Sequence, residues 1–89
     1  MKETIRLSHP VTLDDGTILE KLEMRRPTVG DMVAANITGQ GNQAAAESKL
    51  VARLCGLNIE DMNRVDYADY LKLQAVLLRF LRGNDDAEA

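Results

Sequence analysis

The sequence predicts an α+β fold: an N-terminal β-hairpin followed by a small bundle of three to four α-helices. Three observations carry that expectation. Residues before Pro27 alternate in polarity, as a half-buried strand does. Residues after it repeat at the helical period. Between them, Met24-Arg25-Arg26-Pro27-Thr28-Val29-Gly30-Asp31-Met32 supplies a physical switch. Pro27 has a fixed φ and no amide donor, which suits a strand end or a helix entry. It also pushes Arg26 toward extended geometry. Thr28 then serves as the helix N-cap. Asp31, three residues on, reaches back as a carboxylate variant of the capping box. Pro27, Thr28, Gly30 and Asp31 make up the structural junction in this reading.

The hairpin comes first, over residues 3–26. Ile5 and Leu7 point one way, and Thr4, Arg6 and Ser8 the other. Pro10 ends or kinks this strand, and Val11-Thr12-Leu13 continues it as a short extended piece. Asp14-Asp15-Gly16-Thr17 is a turn signal. Beyond it Ile18, Leu22 and Met24 share one parity. Leu19 and Glu20 interrupt the pattern, which points to a bulge near the hairpin tip. A lone two-stranded hairpin is marginal in water, so its apolar face has to rest on helices or on another subunit.

Helices account for residues 28–82. The first runs from about Thr28 to Ile37, with Val29, Met32, Val33, Asn36 and Ile37 on one side. Gly39-Gln40-Gly41-Asn42 ends it in what is expected to be a mobile loop. The second spans about Gln43 to Cys55. Leu50, Val51, Leu54 and Cys55 form its apolar stripe, Lys49 and Arg53 lie opposite, and Gly56 closes it. Asn58, with Asp61 three residues later, caps a helical turn or two. Asp66, with Asp69 in the same relation, caps the last helix, from about Tyr67 to Arg82. Residues 1–83 are thus one domain, and the acidic stretch 84–89 is expected to be disordered.

That last helix is apolar over too much of its circumference. Tyr67, Tyr70, Leu71, Leu77, Leu78 and Leu81 form one group, and Leu73, Val76 and Phe80 a second beside it. Together they span roughly 220°, against the ~100° stripe of a surface helix. Either the helix is enclosed on most sides, or the second group is open for binding. Enclosure is difficult in so small a chain, and an open apolar strip marks an interaction site. Leu73, Val76, Leu77 and Phe80 are therefore the candidate partner-binding residues, together with the hairpin edge. The polar side of the helix, Lys72, Arg79 and Arg82, is narrow.

Composition excludes several classes of function. The chain has 89 residues, 11 basic and 14 acidic, for a formal charge of −3. These charges are mixed rather than clustered, which argues against binding nucleic acid through a basic face. Aromatic content of 3% leaves few stacking platforms for bases. No apolar run approaches a membrane span, and the N-terminus lacks a signal-peptide core. With Cys55 alone no internal disulfide can form, and Cys55 and His9 lack metal-ligand spacing. Cys55 reads as a small core residue. No catalytic constellation stands out. His9 has no neighbouring nucleophile, Asp14-Asp15 is a turn, and Asp85-Asp86 is in the tail. Gly39-Gln40-Gly41 lacks the lysine of a phosphate loop. The chain is expected to be no enzyme, with no cofactor and no metal.

From about Thr4 to Leu81 the order of features resembles one family, the small (E-type) tail assembly chaperones of Mu-like and P2-like bacteriophages and prophages. Ile5-Arg6-Leu7-Ser8 is followed by Pro10-Val11, then a turn at Asp15-Gly16 and Leu22-Glu23-Met24-Arg25. Arg26-Pro27-Thr28-Val29-Gly30-Asp31 looks like the family's most recognisable segment. Leu54-Cys55-Gly56-Leu57, then Glu60-Asp61-Met62, looks like its helix–glycine–leucine unit. Val65-Asp66-Tyr67-Ala68-Asp69-Tyr70 opens the terminal helix in the same way. Each piece alone is a generic turn or cap; their order in a chain of this length carries the resemblance.

The resemblance implies a non-enzymatic protein that binds the tape measure protein and keeps it soluble during tail assembly. It places the chain in the cytoplasm of the bacterial host and not in the mature virion. A translational frameshift product diverging near Gly83 is a further implication. The implied partners are the tape measure protein and, as open alternatives, that longer form of the same chain, the tail tube protein and further copies of the chain. Neither nucleic acid nor membrane is expected. Two other classes compete. A small helical regulator would use Leu54-Cys55-Gly56-Leu57 to Asn58 as a helix-turn-helix turn, against the acidity of Glu60, Asp61, Asp66 and Asp69. A minor tail structural subunit would be found in mature virions.

Overall fold

Alternation in the first 25 residues produces one antiparallel hairpin. A computed structural model, describing residues 2–39 and 42–83 with 37–39 as backbone only, places β1 at Lys2–Thr12 and β2 at Ile18–Arg25. The expectations for Ile37, for the loop at Gln40 and Gly41 and for the tail 84–89 lie outside the described side chains or residues. Pairing runs from Lys2 opposite Arg25 to Arg6 opposite Lys21, then resumes with Val11 opposite Leu19. Four residues of β1 therefore face the single residue Glu20, and this is the expected bulge. It reverses the parity of β2. Leu22 and Met24 point into the core as expected, whereas Ile18 is exposed and Leu19 packs inward instead. At the tip the Asp15 carboxylate accepts from the Thr17 amide at 2.9 Å, and Gly16 takes φ 88°, a conformation costly for other residues.

Beyond Pro27 come α1 (Val29–Gly39), α2 (Gln43–Cys55), the one-turn α3 (Ile59–Met62) and α4 (Tyr67–Leu81). Local chemistry sets each boundary. The Asn42 side chain accepts from the Ala45 amide, Asn58 from Asp61 and Asp66 from Ala68. Gly56, at φ 73°, ends α2 in a Schellman turn, with the Leu57 amide donating to the Ala52 carbonyl and the Gly56 amide to that of Arg53. The architecture is thus the α+β hairpin-plus-helices arrangement read from the sequence. α2 lies against β2 and α4 against β1, while α1 and α3 pack on α2. The shortest axis is 19 Å, room for little more than one helical layer over the sheet.

This thin core corrects one sequence-based expectation and orients a second helix. Leu73, Val76, Leu77 and Phe80 are not an open strip: they are at most 6% exposed and form the core with Ile5, Leu22, Met24 and Val51. The face left open is the other one, Tyr67, Leu71, Leu78 and Leu81. Polar anchors set the roll of the helix. Asp69 is wholly buried against the β1 bulge, Lys72 Nζ donates to the Arg6 carbonyl and Ser8 Oγ, and Arg79 pairs with Glu3. Lys72 and Arg79, two of the three residues of the expected polar side of α4, are thereby spent on gripping β1. The helix so oriented is α1. Val29, Met32 and Val33, read from the sequence only as sharing one side of the helix, are exposed, while Asp31 and Ala35 take the buried side. The cause is again polar, because Asp31 must reach Arg53 on α2.

Candidate interaction surfaces

Two buried carboxylates, Asp31 on α1 and Asp69 on α4, tie the helices that carry the exposed apolar side chains to the rest of the fold. Asp31 accepts two hydrogen bonds from the Arg25 guanidinium, at 2.7 and 2.9 Å, and one from Arg53 Nε at 2.6 Å. The Thr28 amide and hydroxyl donate to it as well, at 2.9 and 3.0 Å, and Thr28 Oγ1 accepts from the Asp31 amide at 3.2 Å. The capping box read at the junction therefore exists, and it is also where the end of β2, the start of α1 and the last turn of α2 are tied together. Arg25 above all, then Arg53 and Thr28, outweigh the opposing effect of burial and hold this carboxyl far below the usual carboxylate range. Of the other junction residues, Pro27 precedes the cap as expected. Gly30 is under no steric demand, since a Cβ there would meet only Thr28 Oγ1 at an ordinary 3.7 Å.

Asp69 is the matching joint between α4 and β1. Sequence reasoning placed it in a capping box with Asp66; its carboxylate instead leaves its own helix. It accepts from the amides of Ser8 and His9, both at 2.9 Å, which the bulge has removed from the strand ladder. Lys72 Nζ lies 3.1 Å away. Burial works against the charge, yet the two amides and Lys72 prevail and the carboxyl stays below its ordinary range. With their oxygens so occupied, Asp31 and Asp69 are structural groups rather than proton carriers.

The joints leave two apolar strips facing solvent. The first, on α1, is Val29, Met32 and Val33, spaced i, i+3, i+4, with Val29 74% exposed. Asn36 extends it, its amide nitrogen 3.1 Å from Met32 Sδ. The second, on α4, is Tyr67, Leu71, Leu78 and Leu81, with Leu81 62% exposed. Beside it α2 and α4 enclose an open groove bordered by Glu47, Met62, Tyr67, Tyr70 and Gln74. Glu47 accepts from Tyr70 Oη at 2.6 Å and from Gln74 Nε2 at 3.1 Å. Burial, then the Glu47 carboxylate, raises the Tyr70 phenol above its ordinary pKa. The rings of Tyr67 and Tyr70 stack at 6.3 Å, Tyr70 half-buried and Tyr67 exposed.

Of the residues first singled out for partner binding, Phe80 sits in the core with the Arg26 guanidinium 5.5 Å from its ring centre. Cys55 packs against the same core, and burial raises its thiol to about 11. Sequence reasoning missed the open strip on α4 and the part played by Glu47. A signal for the strip was present in the four-three spacing of Tyr67, Leu71, Gln74, Leu78 and Leu81; none marked Glu47. The helix-turn-helix alternative loses its second helix, because α3 is four residues long and carries Glu60 and Asp61. Among the described residues no helix is long and apolar enough to cross a membrane.

No curated protein and no solved structure matches the chain. A family model does, over residues 4–82, and its description is phage tail assembly chaperone proteins, E, or 41 or 14. That span takes in the hairpin from Thr4 onward, both carboxylate joints and α1 to α4. The chain therefore belongs to the phage tail assembly chaperone family.

Proposed function

We propose that the chain binds the tape measure protein and keeps it soluble until tail tube subunits assemble around it, acting by binding and not by catalysis. Within the family membership, the observation that carries this reading is the exposed α1 strip of Val29, Met32 and Val33. A long helical client presents apolar stripes before assembly. A short helix with apolar residues at i, i+3 and i+4 offers a complementary surface, and the unbranched thioether of Met32 adapts to more than one client segment. The strip follows directly on the Arg25–Asp31–Arg53 joint, so it is presented on a fixed base rather than on a loop. The protein would act in the host cytoplasm and leave before the virion is complete. A frameshifted longer form diverging near Gly83 would carry the same strip.

Co-expression with the tape measure protein of the same genome tests the proposal. The unaltered chain is expected to hold the client in the soluble fraction and to co-purify with it. A Met32→Lys, Val33→Lys double variant, whose sites are on the surface, should fold normally and leave the client in the pellet. A client that is equally soluble with the variant overturns the α1 assignment. A client that is insoluble even with the unaltered chain overturns the proposed function.

A further inference from the structure

The groove between α2 and α4 is open to solvent and holds about 600 Å³. Its lining is chemically uneven. Met62 and Val65 give it an apolar margin, Tyr67 and Tyr70 supply aromatic rings, and Glu47 is the one charged side chain among its described lining residues. Glu47 is half-buried and bonded to neutral donors. Its Oε1 accepts from Tyr70 Oη at 2.6 Å and from Gln74 Nε2 at 3.1 Å, whereas Oε2 has only the longer bond to Gln74, at 3.2 Å. A carboxylate offers about four acceptor positions, so Oε2 keeps capacity to spare. No described lysine or arginine pairs with Glu47. Tyr70 and Gln74 thus fix a negative charge in the groove without cancelling it. Tyr67, stacked on Tyr70 at 6.3 Å and 72% exposed, leaves most of its ring to whatever enters.

We propose that this groove receives an arginine side chain of the tape measure protein, its guanidinium bonded to Glu47 and lying against the Tyr67 ring. An isolated carboxylate in an interaction groove calls for a cation from the partner. A planar guanidinium donates to a carboxylate and stacks on an aromatic ring at once, which a compact, strongly hydrated ammonium does less well. The aliphatic stem of the arginine covers Met62 and Val65 on the way in. An open groove suits a side chain projecting from a polypeptide better than a free small molecule, which needs enclosure on most sides. The inference rests on the proposed client, but the site shares no residue with the α1 strip.

Tyrosine fluorescence of the full-length chain reads this groove alone, because Tyr67 and Tyr70 are its two tyrosines and it has no tryptophan. Titration with L-argininamide should change the emission saturably, with the millimolar affinity of so small a ligand. L-lysinamide should bind more weakly, and L-citrullinamide, which keeps the shape but not the charge, should have no effect. Glu47→Gln, whose amide oxygen can still accept from Tyr70, should keep its far-UV CD spectrum and bind argininamide about tenfold more weakly or worse. Tyr67→Leu, at an exposed site, should weaken it about threefold. In co-expression, Glu47→Gln should retain several-fold less tape measure protein than the unaltered chain. Equal responses to argininamide and citrullinamide, or argininamide binding undiminished in both variants, overturn the site. Argininamide binding with client retention unchanged by Glu47→Gln overturns the tape measure protein as its occupant. Both results leave the proposed function standing; a client that even the unaltered chain fails to hold overturns that reading and this occupant together.

Discussion

The two apolar faces of α4 are alike in composition and opposite in fate. Leu73, Val76, Leu77 and Phe80 are buried against the hairpin and α2; Tyr67, Leu71, Leu78 and Leu81 face solvent. Hydrophobicity does not separate them, since each face is rich in large apolar side chains. The separation comes from Asp69, Lys72 and Arg79. Asp69 must meet the two amides released by the β1 bulge, and Lys72 and Arg79 must meet the Arg6 carbonyl and Glu3. Once those bonds are made, the roll of the helix is settled and only one apolar face can point inward. In a thin two-layer domain, polar anchors choose which hydrophobic face becomes core.

The comparison can be broken first at its buried side. Phe80→Ala should lower stability by about 4 kcal/mol through the lost ring and the cavity left behind, read as a shift in the urea midpoint. A loss below about 1 kcal/mol would mean that the face is not core. Asp69→Ala comes next. It leaves the Ser8 and His9 amides without their acceptor and should cost about 3 kcal/mol. If α4 then rolls, Leu78→Ala in that background should become costly where alone it is nearly neutral.

The second carboxylate joint sharpens the comparison through pH. The folded-state pKa of Asp31 is depressed, so its contribution is fully present above the unfolded value of about 3.9 and is lost as pH falls from there through the lower folded value. Asp31→Asn should therefore be less stable by about 2 kcal/mol at neutral pH. The gap from the unaltered chain should close progressively in acid, measured by urea titrations below about pH 4. A gap that is constant with pH would show that the carboxylate charge does not hold the joint. Smaller effects follow at the same helix start. Thr28→Ala should cost about 1 kcal/mol. Gly30→Ala, where no contact forbids a methyl group, should stabilise by a few tenths up to about 1 kcal/mol. Both are read from thermal midpoints, and both should leave tape measure solubility unchanged.

What was legible in the sequence was local. The strand alternation, the Thr28–Asp31 capping box, the Asn58 and Asp66 caps and the Gly56 stop each depend on neighbours within a few residues, and each is present. Burial of Ile5, Leu7, Leu22 and Met24 followed from period two. The misreadings were all of one kind. Ile18 turned outward because the bulge reverses parity, the open face of α4 was misassigned and the buried side of α1 was left unread, because Asp69 and Asp31 bond to partners about 60 and 22 residues away. A helical wheel records how much of a helix is apolar but not which side a distant carboxylate will pull inward. The partner-binding reading of Leu73, Val76, Leu77 and Phe80 rested on that missing information. Its premise of excess apolar surface was sound, and the excess lies on the opposite face.

Leu71 and Leu73 offer the most direct measurement, being the same residue type on the same helix two positions apart. Each is replaced by serine and unfolded in urea at low protein concentration, so that helix propensity and the chemistry of the change cancel. The account predicts that Leu73→Ser loses about 4 kcal/mol or fails to fold, whereas Leu71→Ser stays within about 1 kcal/mol of the unaltered chain. Equal losses, or a larger loss at Leu71, would contradict it.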